Sequence, residues 1–267
     1  MMKFIIVLIS LVLISLFCGC ESEEIVNVEL VYEEYTVVQA ELIPDKRFPG
    51  VRFTKTLPLG VPYNIKDTEI KNITAYIRIN GVQVIPLIYT EDGLYKPFYY
   101  FYIDEGDTYE LFAEQGEKYI YSITKIPLKP EVTSINYDRN DYHLYADVNV
   151  KQGEVYSALW IVTLGNALRA EDFFSVSSPS NQNSIVRVRT SPVPEEYLSG
   201  IYSGTRMIQV FALDKSFKDY FHTRNSGQQL NDPFIQGTGG AVEWNVQGDK
   251  VIGLFIGVAP GDIIEVF

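Results

Sequence analysis

Short runs of alternating apolar and polar residues, separated by turn signals, recur along most of this 267-residue chain. The clearest hairpin joins Ile73–Ile79 to Val82–Ile85 through Asn80-Gly81, because a type I′ turn requires positive φ at both central residues. A second hairpin is predicted around Gln115-Gly116-Glu117. The sequence has no long helical periodicity, and its Tyr and Phe residues suit a half-buried pleated surface. The pattern therefore predicts an all-β protein.

Two β-rich halves are predicted, separated by a segment that contains two prolines. Roughly seven short strands precede Pro127 and Pro130, and their spacing indicates a β-sandwich. The two prolines, only three residues apart, end this run because paired prolines cannot sit in a central strand. The second half contains further strands and one short helix, Asp214–His222, whose apolar residues share a stripe. Val251–Val258 and Ile263–Phe267 are apolar on both faces, so we expect them to be central strands.

The N-terminal segment resembles a bacterial lipoprotein signal. One basic residue, Lys3, precedes an apolar run from Phe4 to Cys18, which is shorter than the roughly 20 residues that span a bilayer as a helix. Gly19-Cys20 follows, and in lipoprotein signals the cleavage occurs before a cysteine that then carries lipid such as palmitate. An ordinary cleaved signal that happens to contain cysteines is the alternative.

The predicted lipid on Cys20 determines where the mature chain works. We predict a signal peptide over residues 1–19 and an acidic tether over residues 20–34. Acyl chains hold a protein at a membrane because each buried methylene contributes about 0.8 kcal/mol. The acidic residues after Cys20 resemble an export tag for the outer leaflet of the outer membrane. A simple acidic spacer, which would leave the protein on the periplasmic face, is the alternative.

Charge and cysteine usage exclude several classes of function. The formal net charge is −12, so no nucleic-acid partner is predicted, because phosphate contacts require basic patches. Both cysteines lie within Met1–Cys20, which leaves the mature chain without a disulfide, a cysteine zinc site or a thiol nucleophile. No cofactor and no metal site are predicted.

No catalytic constellation stands out, and the chain is predicted not to be an enzyme. His143 and His222 are the two histidines, and neither has sequence neighbours that form a triad. The acidic stretches Asp104–Asp107 and Asp138–Asp141 do not match the EF-hand pattern and are interpreted as turns, with calcium loops as the alternative. A hydrolase that uses two dispersed carboxylates remains an alternative.

The run Phe98–Tyr102 is the one candidate contact site in the sequence. A strand here would place Phe98, Tyr100 and Tyr102 on one face and Tyr99 and Phe101 on the other. Exposed aromatic patches mark contacts with ligands or proteins, so Tyr99, Tyr100 and Tyr102 are the candidate ligand or partner contacts. The alternative is that one row is core and the other lies under a loop.

The order of these features resembles an uncharacterised family of outer-membrane lipoproteins that are encoded beside TonB-dependent receptors in Bacteroidetes-like bacteria. The resemblance rests on short motifs spread over most of the chain: Ala75–Ile77, Gly93–Tyr95, Gly106 with Tyr109 and Leu111, Thr124–Pro130, Asn231–Phe234 and Gly253–Phe255. It implies an Ig-like β-sandwich at residues 35–129 and a second β-rich domain with one short helix at residues 130–267. It carries over no catalytic residues.

Together these features predict a lipid-anchored, non-catalytic cell-envelope protein of the outer membrane. The resemblance implies an accessory or binding role for a TonB-dependent uptake receptor. A free-standing structural or adhesive surface lipoprotein is the alternative from a different class.

Overall fold

The structure is a computed structural model that describes residues 32–58, 60–164, 166–170, 172–179, 184–197, 205–226 and 242–266. Within these residues, fifteen strands form a twelve-stranded sheet and a three-stranded sheet. The all-β prediction is confirmed. The predicted signal peptide, Cys20 and the motif Asn231–Phe234 lie outside the described residues, as does all of the predicted tether except its last three positions.

The described strands are β1 (Thr36–Leu42), β2 (Val51–Lys55), β3 (Thr74–Ile79), β4 (Gln83–Glu91), β5 (Leu94–Pro97), β6 (Thr108–Gln115), β7 (Lys118–Lys125), β8 (Val132–Tyr137), β9 (Leu144–Asn149), β10 (Glu154–Leu164), β11 (Asn166–Arg169), β12 (Ile185–Arg189), β13 (Thr205–Asp214), β14 (Val246–Gln247) and β15 (Val251–Val266). The helices are α1 (Ile65–Thr68) and α2 (Phe217–Ser226), and Glu195–Tyr197 forms a 3-10 turn. Neither of these helices has the length and apolar character to cross a bilayer.

The first seven strands curl around one apolar core. The large sheet runs in the order β11-β10-β13-β15-β1-β2-β5-β4-β3-β6-β7-β14. Alternate residues point inward, so Val38, Phe53, Ile77, Leu111 and Ile120 are fully buried together. Both predicted hairpins are present, because β3 pairs with β4 and β6 pairs with β7. At the β3–β4 turn, Asn80 and Gly81 have φ values of 52° and 72°, as a type I′ turn requires.

One strand, β15, belongs to all parts of the core. It pairs in parallel with β1 and antiparallel with β13, so it is central, as its apolar composition predicts. Its residues enter three clusters: Phe255 lies in the core of the first seven strands, Ala259 in a second core and Val258 in a third. The prediction of two separate strands here is wrong, because the chain continues as one strand through Pro260 with a register shift between Gln209 and Phe211.

The second core lies between two sheets. The three-stranded sheet, in the order β12-β9-β8, packs against β10 and β13. Leu144, Ala146 and Val148 alternate inward from β9 and contact residues such as Ala158 and Val210. This arrangement gives the second half a sandwich-like core.

The helix α2 covers the opposite face of β13 and β15. Phe217 and Phe221 are buried against Leu213 and Ile256, which gives the helix the apolar stripe that its sequence predicts. The helix begins three residues later than predicted, because Asp214 ends β13 and its Oδ1 accepts hydrogen bonds from the Ser216 backbone and hydroxyl at 2.9 and 2.6 Å.

Two carboxylates of the second half hold the segment that leaves β7. The Leu128 N–H donates to Glu154 Oε1 at 2.8 Å, and the Lys125 N–H donates to Asp214 Oδ2 at 3.0 Å. Tyr156 donates to the other oxygen of Glu154 at 2.8 Å. Burial raises the pKa of Glu154, because the charged form is poorly solvated there. The described residues from Glu34 onward form one compact unit, and the division at residues 129 and 130 stays a prediction.

Candidate functional site

The aromatic run Phe98–Tyr102, here called the aromatic loop, follows the end of β5. The prediction that it forms a strand is wrong. The β4–β5 ladder ends where Leu87 faces Pro97, and the loop instead pairs locally with the segment 45–48. The Phe48 N–H donates to the Phe101 carbonyl at 2.9 Å, and Ile103 exchanges backbone hydrogen bonds of 2.9 Å with Asp45 and Lys46. The β4–β5 ladder thus holds the chain up to Pro97, and these hydrogen bonds hold it again from Phe101 onward.

Only one of the five rings in the aromatic loop packs inward. Phe101 stacks between Phe48 and Tyr109, with ring centroids 5.1 and 6.4 Å away. The other four rings remain in solvent, with exposed fractions of 86% for Phe98, 52% for Tyr99, 68% for Tyr100 and 54% for Tyr102. The predicted alternation between two faces is therefore wrong, because only the Phe101 ring packs inward, whereas Tyr99, predicted to lie on the same face, is exposed.

A basic side chain accompanies the exposed rings. The Arg47 guanidinium lies over the Tyr100 ring, 4.2 Å from its centroid, and the Arg47–Tyr102 bridge places both residues at the same edge. A guanidinium over an aromatic face is attracted by the ring quadrupole. The loop thus presents apolar ring surface together with a positive charge, on a chain whose net charge is −12. Such a surface can bind an apolar group that is accompanied by a carboxylate.

The two histidines occupy different environments. His143 is buried, its Nδ1 lies 2.5 Å from the Thr190 carbonyl, and its ring packs 5.0 Å from the ring of Phe174. It therefore joins the start of β9 to the residue that follows β12. His222 lies inside α2 and is exposed, so the prediction that it ends the helix is wrong.

The carboxylates of the acidic stretch Asp138–Asp141 accept hydrogen bonds from neighbouring residues. Asp138 accepts from the Asn140 N–H at 2.8 Å, and Asp141 accepts from the His143 N–H at 3.0 Å and from Tyr145 at 2.6 Å. The hydrogen bond from Tyr145 contributes most to lowering the pKa of Asp141. Within the part of the chain that is described, no three His, Cys, Asp or Glu side chains are grouped to hold a metal ion.

A second set of outward rings is brought together only by the fold. Tyr76, Phe112 and Tyr121 occupy opposed positions on β3, β6 and β7. The alternation of each strand could have marked these rings as outward. The sequence does not show, however, that β3 lies beside β6 rather than beside another strand. The tryptophans lie elsewhere: Trp160 is buried and donates to Ser191, and Trp244 packs on Tyr220.

The fold is that of an all-β protein, and its surface carries groups of exposed aromatic rings. Residues 23–263 match the family described as Domain of unknown function (DUF4249). Because this match covers most of the sequence, the chain belongs to that family, and the predicted membership in an uncharacterised family is confirmed. No curated protein matches the chain.

Proposed function

We propose that this chain is a non-catalytic binding or accessory protein, lipid-anchored in the outer membrane, and that it contacts a TonB-dependent uptake receptor through the aromatic loop. The observation that carries the proposal is the exposure of four aromatic rings on a loop whose backbone is tied to a neighbouring segment. Large exposed rings gathered in one place usually mark a contact.

The geometry of the loop lowers the cost of binding. Association requires that side chains and loops become ordered, at about 0.5–1.5 kcal/mol per mobile side chain. The hydrogen bonds at Phe101 and Ile103 and the stacked ring of Phe101 already restrict the C-terminal part of the loop. Tyrosine also has few rotatable bonds and combines an apolar ring with a hydroxyl, which suits an interface centre.

The lipid anchor would place this loop close to a membrane partner. Attachment at Cys20 would leave residues 21–35 between the lipid and β1. A random-coil chain of that length has an r.m.s. end-to-end distance of about 20 Å. Confinement to one membrane raises the effective concentration of a partner in the same membrane. The orientation, towards the cell surface or towards the periplasm, follows from whether the acidic residues act as an export tag.

The test is a pulldown of the native, C-terminally tagged protein in mild detergent, with mass spectrometry of the partners. A stoichiometric TonB-dependent receptor is expected with the parent protein, and the double variant Tyr99→Ala/Tyr100→Ala should lose it. Tyr63→Ala is the matched control, because Tyr63 is also highly exposed but lies outside the loop. The absence of a receptor from the parent pulldown would contradict the accessory role and favour a free-standing adhesive or structural protein. Retention by the double variant would place the contact elsewhere.

The lipid anchor has a separate test. Metabolic labelling with palmitate should mark the parent, and Cys20→Ser should abolish the label and release the protein from membranes. Protease added to intact cells should degrade the labelled protein if it faces outward. An unlabelled parent would contradict lipid attachment without affecting the receptor test.

A further inference from the structure

The outer surface of β3, β6 and β7 carries a row of aromatic rings, here called the aromatic face. Tyr76 lies opposite Phe112, and Phe112 lies opposite Tyr121. Pro86 continues the row on β4, and Gln247 continues it on β14. Neighbouring strands are about 4.8 Å apart, so the row crosses five strands over about 19 Å.

The rings of the aromatic face are arranged in two ways. Tyr76 and Phe112 stack in parallel, with centroids 4.9 Å apart and an interplanar angle of 10°, so the two rings cover each other's faces. Tyr121 and Tyr119 are tilted from the Phe112 plane by 58° and 59°. The tilt accompanies an open hollow of about 360 Å³, lined by Arg78, Phe112, Tyr119, Tyr121, Gln247 and Gly248.

Two residues that line the hollow, Arg78 and Tyr121, are joined by the buried Glu110 behind them. Arg78 donates to both oxygens of Glu110 at 2.7 and 2.6 Å, and Tyr121 donates to Glu110 Oε1 at 3.2 Å. The Arg78 guanidinium also lies 4.8 Å from the centroid of the Phe112 ring. The paired charges of Arg78 and Glu110 cancel, so the hollow has no net charge although the chain is strongly acidic.

We propose that this hollow binds a neutral oligosaccharide. Sugar rings present C–H faces that pack on aromatic rings, and their hydroxyls are both donors and acceptors. Two planar groups of the lining, the Arg78 guanidinium and the Gln247 amide, can hydrogen-bond to neighbouring hydroxyls. An anion would gain little from Arg78, whose charge is already paired with Glu110, and a cation would meet the guanidinium, so the lining favours an uncharged ligand.

Cross-strand packing explains only part of this arrangement. The parallel stack of Tyr76 and Phe112 stabilises neighbouring strands in the usual manner. Tyr119 is 50% exposed and Ile123 is 46% exposed on the same strand, which leaves apolar surface that sheet pairing does not require. The tilted rings and the adjacent ion pair thus border an open recess, which a row of fully stacked rings would not leave.

The test is binding of the full chain to a printed array of neutral hexasaccharides of glucose, xylose, mannose and galactose, with oligogalacturonate and heparin as charged probes. The parent should bind at least one neutral sugar, and calorimetry should then measure its affinity. Tyr119→Ala should weaken that affinity about tenfold or more, since it removes a ring that can stack on the sugar. Gln247→Ala should weaken it less. Circular dichroism and the thermal midpoint should show that both variants fold.

Two control variants separate this proposal from the proposed receptor contact. Tyr63→Ala and the double variant Tyr99→Ala/Tyr100→Ala should bind the sugar as the parent does, whatever their effect on receptor capture. Binding of no neutral sugar, or of charged probes only, would overturn the proposal. Undiminished binding by Tyr119→Ala would overturn the assigned site. Self-association of the parent that Tyr119→Ala abolishes, without sugar binding, would identify a second copy as the occupant instead.

Discussion

Gly253 lies in β15 directly beside Val38 of β1, and substitution by alanine should destabilise the fold strongly. Its φ is +133°, which side chains rarely adopt. An added Cβ would overlap the Val38 carbonyl oxygen and lie 2.7 Å from the Val38 nitrogen. Both atoms belong to the backbone, so relief requires β1 and β15 to separate.

Two contributions set the expected size of the loss. Holding a non-glycine residue in this backbone region costs about 1–3 kcal/mol, and overpacking costs about 1–3 kcal/mol more. Gly253→Ala should therefore lower the free energy of unfolding by about 4 kcal/mol. That is a large part of the roughly 5–15 kcal/mol that stabilises a typical domain, and it corresponds to a decrease in Tm of about 10 °C.

Urea unfolding, followed by far-UV circular dichroism and by Trp fluorescence, measures this loss. Gly116→Ala is the matched control, because Gly116 also has positive φ, +61°, but an added Cβ meets nothing within 4 Å. This control should lose only about 1–2 kcal/mol. Equal losses in the two variants would refute the overlap with Val38. Trp160 reports on the second core, so fluorescence that stays native while circular dichroism changes would refute the claim that β15 couples the cores.

Three further substitutions test individual contacts. Burial raises the pKa of Glu154 above its ordinary value of 4.5, so the stability contributed by its protonated form is lost as pH rises through the folded-state pKa; Glu154→Gln should therefore gain stability relative to the parent as pH rises above 4.5 in urea unfolding. Arg187 and Ser134 hold the pKa of Asp147 at about 2, so its contribution is lost as pH falls towards that value. Asp147→Asn should cost about 1 kcal/mol at neutral pH and nothing near pH 2, since the exposed guanidinium is screened. Phe217→Ala should cost about 3 kcal/mol in thermal unfolding because it empties the contact between α2 and the sheet; no loss would contradict that packing.

Local signals predicted the parts of the fold that depend on a few adjacent residues. Asn80-Gly81 and Gln115-Gly116-Glu117 both form the predicted hairpins, because backbone preference alone determines such turns. The stripe of α2 and the alternation of β9 are likewise recovered from sequence periodicity. These features need no knowledge of which distant segment lies alongside.

The errors arise where a distant partner decides the outcome. Pro260-Gly261 has the composition of a turn, but pairing with β13 carries the chain through it as a strand with a register shift. The aromatic loop alternates no differently from a strand, yet none of the described strands pairs with it after Pro97. Because none of the described strands covers the aromatic loop, four of its five rings are exposed. The aromatic face requires β3, β6 and β7 to be adjacent, which the sequence pattern does not reveal.

The central position of β15 also affects how the chain can reach its folded state. Every other described strand is made before Val251–Val266 is available. Until then, β1 lacks its parallel neighbour and β13 has one open side, and such unpaired strands readily join with other chains. The contact between Thr36 and Val251 closes nearly the whole described chain into one loop, and long loops close slowly. Newly made chains should therefore depend on a holdase chaperone until β15 has been inserted.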